Sequence, residues 1–376
     1  MTVSRRVVIV GGGVAGLAAA QALQRKGILA VVLEREPALA DAGLAVNLPG
    51  NAIRALGGLG LASELSEKGF PIRRREYRNQ RGRLLFSVNE TEFWGHEAQP
   101  RCVRRSDLVT LLQRGLPHEI LRYECPVMSV RQSAGVGGDE IVMVGLADGS
   151  VERSDFLVGA DGVRSLVRRE VFGGHAPQAA LISDSSWRFM TPNPGVDGWT
   201  LWAGSHGSLF LLIPVDNGEA YGWVSAPSRP PGDLREAFSA FPNIVRDTLD
   251  TVWAQPVPPY HSPLEEVRMP SWSNGRALLI GDAAHATAPV WAQGVAMAIE
   301  DAQVLAELLG TNENWDGVGL AYEQRRRPRV EHVVAVTDRL SRMAVMPNLF
   351  RDALMPLAGP RSYRSAYQPL RASVAS

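Results

Sequence analysis

Val7-Val8-Ile9-Val10 is an unbroken apolar run, rich in β-branched residues, that stops at Gly11-Gly12-Gly13. A run of this kind reads as a strand buried on both faces, as in a parallel sheet. Leu17 to Lys26 is a helix-forming stretch of Ala, Leu and Gln, and Gly27 closes it at a C-cap position. Ile28 to Leu33 is a second apolar strand with Glu34 at its end. The pattern predicts a β-α-β unit of roughly thirty residues.

Further along, Asn51 to Leu56 and Leu61 to Lys68 read as short helices. Arg73 to Pro100 is polar and aromatic and reads as strands and loops of an inserted segment. Arg104 to Leu108 opens a helix running through Leu112, with Ser106 or Asp107 as its cap. Val127 to Val130 and Ile141 to Leu146 predict a hairpin across the Gly-rich stretch 135–138. Phe156 to Gly159 is an apolar strand that runs into Asp161-Gly162, after which Arg164, Ser165 and Arg168 start a helix. From about Leu181 the composition shifts to strands carrying Trp187, Trp199, Trp202, Phe210, Tyr221 and Trp223, Leu209 to Pro214 among them. Arg276 to Ile280 returns as a buried strand, and Val295 to Leu309 as a helix. Tyr322 to Met343 is a long arginine-rich helix pattern with a kink or break near Pro328. The last stretch, Arg361 to Ser376, reads as loosely ordered.

The glycines after the first strand carry the first chemistry. GxGxxG is weak alone, but here it lies between a strand and a helix, with an acid about 20 residues on. Gly11 allows the tight turn, Gly13 lets the backbone approach a pyrophosphate, and Gly16 lets helix and strand pack closely. The helix N-terminus offers free N–H donors to the phosphates, and Val14 and Ala15 in the turn before it are further cofactor-binding candidates. Glu34 is placed to accept from both hydroxyls of an adenosine ribose and disfavours a 2′-phosphate. The ligand is an ADP-containing cofactor, FAD or NAD.

Composition narrows the class. The 376 residues carry 39 basic and 39 acidic side chains, so no basic field invites nucleic acid. An apolar fraction of 45% excludes a disordered chain. No apolar run reaches the roughly 18 residues of a membrane helix, and the N-terminus does not read as a signal peptide. Cys102 and Cys125 form neither a disulfide framework nor a metal motif, which points to a reducing compartment, the cytoplasm. No metal site is expected. Lys26 and Lys68 are the sole lysines, which argues against Schiff-base chemistry.

Three motifs in order, GGGVAG with Glu34, DFLVGADGVRSLVR, and ALLIGDAAHATAPVWAQGVAMAIEDA, resemble the class A flavoprotein aromatic hydroxylases of the para-hydroxybenzoate hydroxylase fold. With Arg104 to Leu108 and the YEQRRRPR helix, the resemblance spans most of the chain. It implies an α/β fold: a Rossmann-like FAD-binding domain from 1–70, 98–178 and 275–350, an inserted β-sheet substrate domain from 71–97 and 179–274, and a C-terminal tail, 351–376. It implies FAD rather than NAD in the first motif, NADH or NADPH as a transient reductant, and O2 as co-substrate. The implied reaction is hydroxylation of an aromatic or heteroaromatic small molecule by way of a C4a-hydroperoxyflavin. Epoxidase, Baeyer–Villiger, halogenase or reductase chemistry on the same fold is the alternative, although the motif and lysine of a halogenase are lacking. A non-enzymatic flavin-binding protein is a third.

Carried over residue by residue, Arg105 matches the arginine at the FAD ribose and diphosphate. Asp161 lies near FAD and the reductant's path, and Asp282 matches the aspartate of the ribityl chain. Pro289, Gln293, Gly294 and Val295 match the loop and helix start beside the isoalloxazine ring. Arg35 is a further cofactor candidate next to Glu34. For the substrate pocket the candidates are Trp187, Arg188, Trp202, Phe210, Trp223, Pro289 and Trp291, with Arg188 and His206 the candidates for catalysis. His285 reads as a loop support. Two departures stand out. The stretch 38–50 has no arginine where many relatives have one, and Ala292 replaces the usual loop glycine. A monomer or homodimer is expected.

Overall fold

A computed structural model describes residues 5–37, 44–134, 140–173, 176–226 and 234–374. The apolar runs of the sequence form a six-stranded sheet in the order Ser273–Asn274, Ala277–Leu279, Phe156–Gly159, Arg6–Val10, Leu29–Leu33, Leu121–Arg122. All neighbours in it are parallel except the first pair. Val7, Val8 and Ile9 are fully buried, as a strand covered on both faces requires. Helix Val14–Arg25 packs against helix Gly294–Thr311, which in turn packs on Gly50–Gly58 and Val318–Ala344.

A second sheet has seven strands in the order Tyr260–His261, Ser186–Pro192, Glu219–Ser225, Leu209–Pro214, Trp199–Ala203, Arg74–Asn79, Leu84–Asn89. Its outer face carries Phe189, Trp202, Phe210, Leu212 and Val224. It is covered by Val245, Leu249 and Val252 of helix Asn243–Trp253 and by Leu234, Phe238 and Phe241. Its inner face carries Met190, Trp199, Leu201, Leu209, Leu211, Ile213, Tyr221 and Trp223, which pack with Ala45, Phe70, Ile72 and Cys102. The strict alternation is the pleat of a sheet buried on both sides.

Several local expectations are corrected. The stretch from Arg361 is not loosely ordered over its described residues, 361–374. Asn348–Tyr367 is a helix that runs on into a short turn, Gln368–Arg371, and it buries Arg351, Gly359, Tyr363 and Tyr367. It packs on strand Leu84–Asn89 and touches helix Val318–Ala344. Val318–Ala344 runs unbroken through Pro328. Helix Arg105–Gln113 is entered through Arg104 with no side-chain cap, so Ser106 and Asp107 lie in its first turn. The strands Val127–Ala134 and Glu140–Leu146 pair antiparallel, while their connection at 135–138 lies outside the described residues.

Candidate functional site

The first turn shows why glycine is needed. Gly11 has φ 105°, and a Cβ there would lie 2.4 Å from the Ala160 carbonyl oxygen; one on Gly16 would lie 1.9 Å from the Gly11 oxygen. Gly13 differs: a Cβ on it would meet nothing within 4 Å, although it caps helix Val14–Arg25. Gly162 faces open space in the same way, and a Cβ on Gly294 would meet only Asp282 Oδ1, at 3.7 Å. Glycines with room to spare at a helix N-terminus mark a cradle shaped for something other than protein. Val14 and Ala15 are half-buried at its rim. The Ala15 methyl would lie 3.0 Å from a Cβ on Gly281, which brings the turn against the start of Asp282–His285.

Glu34 is held rigidly. Its Oε2 accepts from Gly12 N at 2.6 Å and its Oε1 from Glu36 N at 3.0 Å, and each oxygen keeps a lone pair for a hydroxyl. Arg35 points away to the surface, paired with Glu36. The arginine-free stretch lies partly outside the described residues, at 38–43. Arg105 is exposed at the start of its helix, its backbone N–H donating to Leu44 O at 2.8 Å.

Asp282 is open to the cleft but ringed by protein. Desolvation raises its carboxyl pKa, and the charges of His285, Arg188 and Arg105 oppose the rise. Arg105, at the start of helix Arg105–Gln113, and Arg188, on the second sheet, both act on this carboxylate. Helix Gly294–Thr311 begins beside it. The approach to that helix is held by Pro289, whose carbonyl accepts from Ala292 N, and by Gln293, whose Oε1 accepts from Asn51 Nδ2 at 3.0 Å. Val295 is half-buried at its first turn. Ala292 has φ 60°, the left-handed region.

Behind the cleft lies a buried ionic cluster. His285 Nε2 stands 2.8 Å from Asp301 Oδ2, which also accepts from Gly281 N. Arg326 Nε donates to Asp301 Oδ1, and Arg326 and Arg329 pair with Glu300. His285 supports the loop, as expected. Burial opposes ionisation of Asp301, but His285 and Arg326 outweigh it and hold the carboxyl well below the usual range.

The Asp161 carboxylate accepts from Ser165 Oγ and from the N–H groups of Leu166 and Val167 at the start of helix Leu166–Phe172, and its Cα would lie 3.0 Å from a Cβ on Gly11, beside the first turn. Other expected residues are placed elsewhere. Trp187, Trp202 and Phe210 belong to the outer sheet face, against the covering helices, and are removed from the pocket wall. Trp291 is in the core, donating Nε1 to Thr337 Oγ1 at 2.9 Å with its ring against Tyr367. His206 lies exposed in the turn Ser205–Gly207 at φ 55°, with no hydrogen bond or ion pair among the described residues. Arg188 and Trp223 do share the inner face, directly opposite in register. Arg188 Nε is buried without a hydrogen-bond partner, and Arg188 makes no ion pair among the described residues.

The cleft therefore joins a phosphate-ready helix end, a ribose acid, a carboxylate and a second helix end. A dinucleotide would fit this set, its phosphates at the open helix end by Gly13 and its ribose hydroxyls at the free lone pairs of Glu34. Comparison with known proteins decides the family. Residues 4–337 match the family model described as FAD binding domain. The chain belongs to the FAD-dependent class A monooxygenases. It is 31% identical to 3-amino-4-hydroxybenzoate 2-monooxygenase of Streptomyces platensis, over 87% of this chain and 85% of that one. It is 30% identical to 2-heptyl-3-hydroxy-4(1H)-quinolone synthase of Pseudomonas aeruginosa, over 87% and 86%. Among solved structures, HpxO of Klebsiella pneumoniae complexed with FAD and uric acid superposes with TM-score 0.82 at 24% identity, covering 98% of this chain and 92% of that one. The tetrameric form of 2-methyl-3-hydroxypyridine-5-carboxylic acid oxygenase gives 0.78 at 26%, covering 99% and 100%.

The class A monooxygenase fold accounts for the α/β architecture and for FAD, with NAD(P)H and O2 as its partners in reaction. Among the described residues no helix is long and apolar enough to cross a membrane, and no group of three His, Cys, Asp or Glu is placed to hold a metal ion. The sequence reading missed Met190 and Leu211 as inner-face residues. The signal was available: neighbours on a strand point to opposite faces, so Trp187 and Arg188 cannot share one wall.

Proposed function

We propose that this monooxygenase hydroxylates an aromatic or heteroaromatic ring carrying an ionised oxygen, phenolate or carboxylate, and that Arg188 binds that oxygen. The observation that carries the reading is the guanidinium itself: its Nε is buried and unpartnered on the inner sheet face, and its charge reaches Asp282. A buried donor without an acceptor is costly and invites an anionic one. Around it the inner face is aliphatic and aromatic, which suits a flat ring. Relatives named for acting on hydroxybenzoate and hydroxynicotinate, and one named for making a hydroxyquinolone, support the class.

Bound FAD would supply the redox chemistry, accepting a hydride from NADH or NADPH and passing the electrons to O2. The chain's own residues do the rest. The N–H groups at Gly13 to Ala15 hold the pyrophosphate, Glu34 the ribose, and Arg105 the diphosphate side. Asp282 orients the chain between ring and phosphate, and Gly294 presents a helix N-terminus that favours negative charge. Tyr221, whose phenol is desolvated and thereby raised in pKa while Arg188 pulls it back, stands beside the same anion. Asp161 acts through the turn it caps. Neutral net charge and the paucity of cysteines support a cytoplasmic enzyme, monomeric or homodimeric, acting on small molecules and not on nucleic acid.

The test is the rate of anaerobic reduction of the FAD-loaded protein by NADH and by NADPH, over a panel of phenols, aromatic acids, purines, quinolones and polyketides. Acceleration by one anionic ring compound, lost in Arg188→Gln with FAD retained, is the expected result. Fast reduction that no compound alters would overturn the reading in favour of a reductase.

A further inference from the structure

Arg75 is the side chain that the described function does not use. It stands on strand Arg74–Asn79, directly opposite Trp199, and is 1% exposed. Its Nε pairs with Glu90 Oε1, itself fully buried, while its Nη1 has no hydrogen-bond partner. Rings take that partner's place: the guanidinium carbon lies 4.3 Å from the Trp199 ring, 5.6 Å from Tyr363 and 5.4 Å from Tyr367. Tyr363 donates to Glu90 Oε2 at 2.6 Å and lies 4.5 Å from Tyr367, centroid to centroid.

Tyr367 closes the chain of contacts. Its ring meets Trp291 at 5.0 Å and 71°, and its hydroxyl donates to the Trp291 carbonyl at 3.2 Å. Trp291 precedes Ala292, which is held at φ 60°, and Gln293, the N-cap of helix Gly294–Thr311. Two side chains, Arg75 and Tyr367, thus span from the inner wall of the seven-stranded sheet to the loop beside Asp282. Left-handed backbone at a non-glycine residue persists only where its surroundings fix it, and the Tyr367 and Thr337 bonds to Trp291 do so.

We infer that Tyr367 is a positioning residue, which sets the path of the 289–294 loop and couples it to the sheet through Arg75. The inference rests on the proposed reading of that sheet as the substrate wall. Its test needs no substrate, so the two can fail separately. Hydrogen exchange is followed in the FAD-loaded and FAD-free full chain, with the midpoint potential of the bound flavin as second readout. Tyr367→Phe removes the hydroxyl that bonds to Trp291 O and faces Arg75, keeps the ring, and should raise exchange at 289–295 roughly fivefold. Trp199→Phe stands on the sheet and reaches the loop through Arg75 and Tyr367; it should raise exchange in the same segment and shift the potential in the same direction. A merely structural contact would speed exchange across the molecule or at the substituted strand alone. Unchanged exchange at 289–295 in folded Tyr367→Phe would overturn the positioning role. Should Trp199→Phe not fold, Trp199→Tyr takes its place; a loop that ignores the folded sheet variant would overturn the coupling.

Discussion

His285 Nε2 lies 2.8 Å from Asp301 Oδ2, and both groups are buried behind the loop that carries Asp282. Asp301 also takes Arg326 and the Gly281 N–H, so one carboxylate joins three elements. Asp301→Asn would leave Arg326 with Glu300 alone, which Arg329 shares, and should cost about 1–3 kcal/mol, the range for hydrogen bonds to charged groups. The sign with pH follows from the folded carboxyl being depressed. Its contribution is complete above the unfolded value of about 4 and is lost as pH falls through the lower folded value. Denaturant titrations should show the wild type and variant furthest apart near neutrality and converging in acid.

Asp282 has the opposite sign. Desolvation raises its folded pKa, so its ionisation weakens the fold as pH rises through that value, and the penalty is absent below the unfolded one. Asp282→Asn should therefore raise the melting temperature of the FAD-free protein at pH 7. It should also weaken FAD by about tenfold or more, the loss of one hydrogen bond to a charged group. Thermal melts and an FAD titration on the same preparation check both directions; a variant less stable without FAD would show that Asp282 serves the fold.

Gly13 and Gly16 separate the cofactor from the fold. A side chain at Gly16 collides with the Gly11 carbonyl, so Gly16→Ala should yield insoluble or unfolded protein. A side chain at Gly13 meets open space, so Gly13→Val should fold with a normal circular dichroism spectrum and emerge free of FAD. A yellow, flavin-loaded Gly13→Val protein would contradict the cradle.

Ala292 stands at φ 60° where glycine is at ease. An L-residue in this region costs about 1–2 kcal/mol, part of which glycine returns as added freedom in the unfolded chain. Ala292→Gly should stabilise the protein by roughly 0.5 kcal/mol, read as a rise in the urea midpoint with an unchanged slope.

Much of this architecture was legible because it is local. The run Val7 to Val10, the glycines and Glu34 lie within one β-α-β unit, and their spacing dictates both turn and phosphate cradle. Asp161 was legible as the acid that follows a strand, but its bonds to Leu166 and Val167 at a helix start could not be read from composition. The C-terminal helix was not legible. Pro356 and Pro360 break the usual helical signature, and its anchors, Arg75 and Glu90, lie more than 250 residues earlier in sequence. The pocket wall failed on face: the tryptophans were found, but alternation along each strand sorts them.

That sorting gives the last prediction. Trp202 and Trp223 are 3% and 4% exposed, yet they lie on opposite faces of the same sheet. Trp202 packs edge-on to Phe210 under the covering helices, whereas Trp223 stands opposite Arg188 with Nε1 donating to Ser186 Oγ at 2.9 Å. Trp202→Phe should lower stability by about 1–3 kcal/mol through the void it leaves, while FAD-loaded turnover of the compound found in the reduction screen keeps its KM. Trp223→Phe loses one hydrogen bond and the ring edge beside Arg188; its stability should fall by no more than about 1–2 kcal/mol, while KM rises several-fold. Paired melting and steady-state measurements distinguish the faces, and a KM effect at Trp202 equal to that at Trp223 would place the pocket on the wrong side of the sheet.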